Sequence, residues 1–403
     1  MFQPEFSLPL STPLRFFRAA PCWLLLASLV ALGLPPEAWQ ARFSPAMLAL
    51  THLLMLGFAG NIMLGALLQV CAVLTGVRAH PTSAIVLWLA LQTGTGLLAW
   101  GLWHMQMIVL QLAALILLAA LLGLTLWLLA SLLLRSALQQ HSPLLWPILG
   151  LLLLALSGGL LVSLLSTGQP ALALNDLLRA HIVLGSTAWL SGLIIVVGFT
   201  VIPMFLVAPA WPRWLVQILP GLIFALAFAS AIDARALYLL GLPVVLWYAG
   251  LLRVLHQSQR RADPTRALWA WGGINLLLPL MCVPWLEHGS AHWPAATPVL
   301  LAAYWLLAGV LPIITAMLAK IIPFLLWMDY RLEQPSGGRL RHMGQLFPER
   351  WLRRLSYGVF LMGIVLWPLS STSFKAIPLM LMIYALALAY CLERSIRIRR
   401  QAS

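Results

Sequence analysis

Two histidines stand in otherwise apolar sequence, and imidazole can both ligate a metal and exchange a proton near neutral pH. His52 lies in Thr51-His52-Leu53-Leu54-Met55-Leu56-Gly57, and His181 in Arg179-Ala180-His181-Ile182-Val183-Leu184-Gly185. Glycines follow each at helical spacing: Gly57, Gly60 and Gly65 after the first, Gly185 and Gly192 after the second. An ionisable group inside an apolar segment is costly and is by default a functional candidate. Imidazole is a good axial ligand for haem iron, and a buried haem needs small residues beside its ring. The same glycines also serve close helix packing, and a lone histidine can simply bond to a neighbouring helix.

The remaining candidates are weaker. His104 with Met105 and Met107, and Glu287 with His288 and His292, offer soft thioether and imidazole ligands that suit copper(I). Next to Trp103 and Trp293 they also read as membrane-boundary residues. Lys320 lies inside an apolar run about 12 Å of helix rise from its end. That distance allows snorkelling to the headgroups, which is favoured here over a proton path. Asn61, Gln69, Gln92 and Gln111 are further polar positions within apolar runs.

The elements that carry these residues follow from composition. The 403 residues are 62% hydrophobic and 8% charged, against about a quarter charged in a soluble domain. A soluble enzyme, a disordered chain and a nucleic-acid-binding domain are disfavoured together, and a polytopic all-α membrane protein remains. A crossing needs about 20 apolar residues. Twelve runs qualify: 20–35, 46–76, 83–103, 106–135, 144–166, 178–208, 214–231, 236–255, 268–286, 297–328, 354–370 and 374–392. The second, sixth and tenth are the longest, so they tilt or protrude.

The net charge of +14 is explained by orientation. With a cytoplasmic N-terminus, nineteen arginines fall on the inner side, while Arg42, Arg179, Arg235 and Lys375 fall outside. That bias follows the positive-inside rule. It puts both termini in the cytoplasm of a bacterial inner membrane. The chain then reads as one transmembrane domain, 1–403, with a cytoplasmic N-terminus 1–19, a cytoplasmic loop 329–353 and a basic cytoplasmic tail 393–403. The first apolar run has no clear small-residue cleavage site and reads as a retained span. Four cysteines with no CxxC suggest neither a disulfide framework nor a zinc site.

The second and sixth runs repeat one pattern: an early histidine, spaced glycines, then a break. The sixth continues through Trp189 to Pro203-Met204-Phe205, and the tenth ends Lys320-Ile321-Ile322-Pro323-Phe324-Leu325-Leu326-Trp327. With twelve spans, this resembles the haem-copper oxidase subunit I superfamily, nearest its divergent members, the cbb3-subunit-I-like and NnrS-like proteins. The resemblance covers the whole chain in topology and is specific at the sixth span and the end of the tenth. It implies a pseudo-threefold ring in which the second, sixth and tenth helices are equivalent and carry haem and copper ligands toward the outer side. His52 would match the low-spin-haem ligand and His181 a ligand position on the sixth helix. Basic residues such as Arg179 and Lys375 would hold haem propionates.

The departures limit the implied chemistry. Val183 stands where relatives often carry a second histidine. No histidine lies between His292 and His342, where the tenth span offers Tyr304 and Met317, and the seventh span has none. A complete dinuclear oxidase centre is therefore unsupported. The expectation is one haem b, bound by His52 with His181 or by either with a weaker partner, and any activity is that of an oxidoreductase. The role would be electron transfer, a nitric oxide or oxygen response, or haem/copper handling, with a cytochrome c or a respiratory-complex subunit as partner. The alternatives are a cofactor-free permease for a small solute or metal ion, and a membrane assembly factor for a respiratory complex.

Overall fold

The computed structural model describes residues 7–134, 142–168, 171–288, 296–334, 340, 342–366 and 373–402, and within these the side chains of 142, 171–173, 283–288, 366, 373 and 374 stand outside the description. The described chain is helical, with no strand among the described residues. Ten helices are long and apolar enough to cross a membrane. They are α1 (Ser11–Leu32), α2 (Pro45–Thr75), α3 (Pro81–His104), α4 (Met107–Leu134), α5 (Leu145–Thr167), α6 (Leu174–Leu206), α7 (Arg213–Ile232), α8 (Ala234–His256), α10 (Thr297–Glu333) and α12 (Ser373–Ala402). Two further helices, α9 (Pro264–His288) and α11 (Glu349–Leu366), stand where the ninth and eleventh apolar runs fall.

Leucine-rich sequence supplies helix formers, and short signals set the ends. Ser44 caps α2 by accepting a hydrogen bond from the Met47 amide, with Pro45 in the first helical position. Gly76 ends α2 at φ 70°, a left-handed conformation that favours glycine. The outward faces are apolar: Ile108, Leu134 and Ile232 are among the most exposed side chains, at 81%, 85% and 76%. Water would not tolerate that surface on a helix bundle, whereas lipid requires it. The protein is a multi-pass membrane protein in contact with the bilayer.

Three helices form the centre. In α2, α6 and α10, 78%, 78% and 72% of the apolar stretch is buried, against 28–50% in the other seven. These three, at 31, 33 and 37 residues, are also the longest, as their apolar runs predict. Their second halves meet, with Phe205 of α6 edge-on to Phe324 of α10 at 5.5 Å. The others surround them, and α1 packs against α12, bringing the first and last helices side by side.

Each central helix contains a π-helical stretch: Leu53–Gly60, Leu184–Ser191 and Trp305–Val310. A π turn holds an extra residue, re-aims the side chains around it and recurs at functional sites. His52 immediately precedes the first stretch, His181 precedes the second by three residues, and Tyr304 immediately precedes the third.

The ends differ from the sequence reading. α1 begins at Ser11, nine residues before the first apolar run, and α12 runs to Ala402, ten beyond the last. Residues 11–19 of the first segment and 393–402 of the last are therefore helical. Hydropathy registers only the lipid-facing part of a helix, whereas arginine is a good helix former. Ion pairs fix these ends: Arg18 forks onto Glu393, and Arg399 holds both Asp329 and Glu333 at 2.7 Å. Within loop 329–353, α10 extends through Glu333, and Leu346 and Phe347 are buried, with the Leu346 carbonyl accepting from Ser395.

Candidate functional site

α2 and α6 bring His52 and His181 together, with ring centres 6.3 Å apart and planes inclined by 30°. The rings lie near one end of the bundle, opposite the paired start of α1 and end of α12. Both are surrounded by protein, yet both retain accessible surface. They are partly exposed and are not sealed into packed core.

Hydrogen bonds fix the tautomer of each ring. His52 Nδ1 lies 2.8 Å from the Leu48 carbonyl, one turn back on the same helix. A carbonyl only accepts, so Nδ1 carries the proton. His181 Nδ1 lies 3.1 Å from Ser157 Oγ on α5. Ser157 already donates its one hydroxyl proton to the Leu154 carbonyl at 2.9 Å, so His181 donates to it. Both Nε2 atoms are then bare acceptors, and neither has a hydrogen-bond partner among the described residues. Two lone pairs on neighbouring rings, each ring oriented through its far nitrogen, form the arrangement typical of metal-ligating histidines and their outer partners.

Space for the second ring comes from α5. A Cβ on Gly158 would lie 3.2 Å from His181 Cε1. We expect Gly158→Val to push the imidazole aside and lower cofactor or metal content severalfold while helicity is retained, as read by bound-cofactor stoichiometry beside circular dichroism. Ser157→Ala removes the orienting bond alone. An outer partner of a metal-bound histidine is worth about 10–100-fold in affinity, so that loss is expected in a metal or cofactor titration.

The other candidates take separate places. Arg179, two residues before His181, donates through Nε to the Ser230 carbonyl at 3.0 Å and pairs with Asp176 at 3.0 Å. Lys375 is exposed at the start of α12 and makes no hydrogen bond or ion pair with either histidine. His104 is exposed at the end of α3, against Trp100 at 4.2 Å. The His288 side chain and His292 lie outside the described residues, so the structure does not describe the three proposed copper ligands as a set. Among the described residues no cluster of three or more histidine, cysteine or acidic side chains could hold a metal ion.

Three of the weaker polar positions do structural work. Trp23 of α1 donates to Gln92 of α3, Gln92 donates to Asn61 of α2 at 2.9 Å, and Asn61 donates to the Gly57 carbonyl at 2.7 Å. This network ties the π stretch of α2 to two neighbours, and the close approach of Trp23 leaves no room for a side chain at Gly57. Gln111 bonds to Ser166 at 3.0 Å. Lys320 does not rely on snorkelling, because its ammonium pairs with Asp263 at 2.5 Å, with side chains 13% and 10% exposed.

Sequence reasoning found the two imidazoles but missed what holds them. Ser157 and Gly158 form a polar, small-residue break in the middle of the leucine run of α5, Leu-Ala-Leu-Ser-Gly-Gly-Leu-Leu. That break was the available signal. No family model matches this chain, and no curated protein matches it.

Proposed function

We propose that this chain is a haem-b-binding protein of the haem-copper-oxidase-like fold, with His52 and His181 as the two axial ligands of one haem iron. One observation carries this reading: two imidazoles on different helices, both anchored through Nδ1–H, both presenting an unpartnered Nε2, with ring centres 6.3 Å apart. Metal–nitrogen bonds of about 2 Å on each side would put the centres of two rings sharing a metal roughly 6 Å apart.

Haem bound there would supply one-electron redox chemistry. The chain's own residues would hold and orient it: His52 and His181 as ligands, Leu48 and Ser157 fixing their rings, and Gly158 leaving space. Arg179 keeps N–H groups beyond its two present bonds for a propionate, and Lys375 is a second basic candidate. With both imidazoles engaged in holding it, haem bound there would serve electron transfer or haem handling in preference to reduction of oxygen or nitric oxide. A cytochrome c or a respiratory-complex subunit would be the electron partner. A cofactor-free permease or an assembly factor leaves the two bare acceptors without a use.

The topology supports the same reading. Adding α9 and α11 to the ten apolar helices makes twelve crossings. An even count agrees with the start of α1 lying beside the end of α12. The arginine bias then sets both termini in the cytoplasm of a bacterial inner membrane. Three central helices, each with a π stretch, inside a ring closed by α1 on α12, fit a pseudo-threefold repeat. The test is haem extraction from protein purified from haem-replete cells. About one haem b per chain is expected. Colourless protein, or protein carrying copper or zinc in place of haem, overturns the reading.

A further inference from the structure

At the end of the bundle away from the histidines, α1, α3, α10 and α12 surround a cavity of about 620 Å³. One wall is apolar, built from Leu14, Trp88, Leu326 and Ile396. Arginines line the other. Arg399 holds both Asp329 and Glu333, which also face the cavity, so it balances one of their two negative charges. Arg18 is forked onto Glu393. Arg15 and Arg400, by contrast, have no carboxylate partner among the described residues, although both line the space. The indole N–H of Trp88 is buried with no acceptor.

Two guanidinium groups without a carboxylate partner beside an apolar wall fit one kind of occupant: an oxyanion attached to hydrocarbon. We propose that this cavity binds the phosphate headgroup of an anionic phospholipid. Its phosphate oxygens accept from Arg15 and Arg400, and its acyl chains follow the apolar wall between α1 and α12. Basic pockets between transmembrane helices bind anionic headgroups for the same reason. The site bridges the first and last helices, so an occupant would hold the bundle closed at that junction.

The experiment is native mass spectrometry of the full-length protein in detergent, titrated with dioleoyl phosphatidylglycerol, dioleoyl phosphatidylcholine or inorganic phosphate. One phosphatidylglycerol per chain should survive desolvation, with phosphatidylcholine at least tenfold weaker. At about fivefold for each arginine near a headgroup, Arg15→Gln with Arg400→Gln should weaken phosphatidylglycerol roughly 25-fold. The control pair Arg394→Gln with Arg397→Gln removes equal charge from exposed positions of α12 outside the cavity and should leave binding unchanged. Equal retention of the two lipids overturns the proposal. So does an equal loss in both double variants, or displacement of the lipid by inorganic phosphate at comparable concentration. If the double cavity variant fails to fold, Arg400→Gln alone, at an exposed position, should still weaken phosphatidylglycerol about fivefold, and unchanged binding in that variant overturns the proposal.

Discussion

His52→Ala and His181→Ala should each abolish six-coordinate haem binding, with a loss in affinity exceeding the 10–100-fold expected for an outer partner. The two losses should be equal, because the proposed iron needs both nitrogens. The double variant should bind more weakly than either single one, because no imidazole of the chain remains to hold the iron. Exogenous imidazole should partly restore the spectrum of each single variant by occupying the vacated position. Helix content and elution volume are the controls, since both residues are partly exposed and are not sealed into core. Retention of an unchanged spectrum by either variant would separate that histidine from the iron.

The second large effect belongs to Lys320 and Asp263, which hold the middle of α10 to the start of α9. Removing one partner of a buried ion pair typically costs about 3–5 kcal/mol, because the other charge stays behind unpaired. Asp263→Asn and Lys320→Met should each lower the midpoint of thermal unfolding in detergent markedly. The double variant Asp263→Leu with Lys320→Met should lose much less. Additive losses in the double variant would show the pair to be uncoupled. The pair also has a pH signature. Burial pushes the Asp263 carboxyl up, but the Lys320 ammonium and the Thr265 hydroxyl and amide outweigh it and hold the carboxyl below its ordinary 3.8. A carboxyl held low in the folded state contributes stability above its unfolded value and loses it as pH falls through its folded value. Wild-type protein should therefore lose stability in acid more steeply than Asp263→Asn, as read from unfolding midpoints between roughly pH 5 and pH 2.

The sequence was most informative where a single physical requirement dominated. Apolar runs of crossing length mark each of the ten helices long and apolar enough to cross a membrane among the described residues, and the three longest runs are the three most buried ones, because only a helix sheltered from lipid on all sides can carry histidine, asparagine and lysine at low cost. The matched depth of His52 and His181 was legible from their places in the second and sixth runs. Their approach to 6.3 Å was not, because it depends on how α2 and α6 pack around α5. Ser157 went unnoticed because a serine in a leucine run reads as neutral until a ring nitrogen is placed beside it. Lys320 read as a snorkelling lysine because its partner, Asp263, lies 57 residues away, and pairing at that separation leaves no local pattern. The helical ends of α1 and α12 were missed for a related reason: hydropathy stops at the first arginines, while the helices continue on ion pairs.

Absorption spectra of the purified protein, oxidised, reduced, and reduced under carbon monoxide, test the paired-imidazole ligation most directly. The account predicts a six-coordinate, low-spin haem b, with sharp split visible bands on reduction and no change on adding carbon monoxide, since both axial positions are taken. A haem that binds carbon monoxide readily, or protein with no haem absorbance at all, would contradict it.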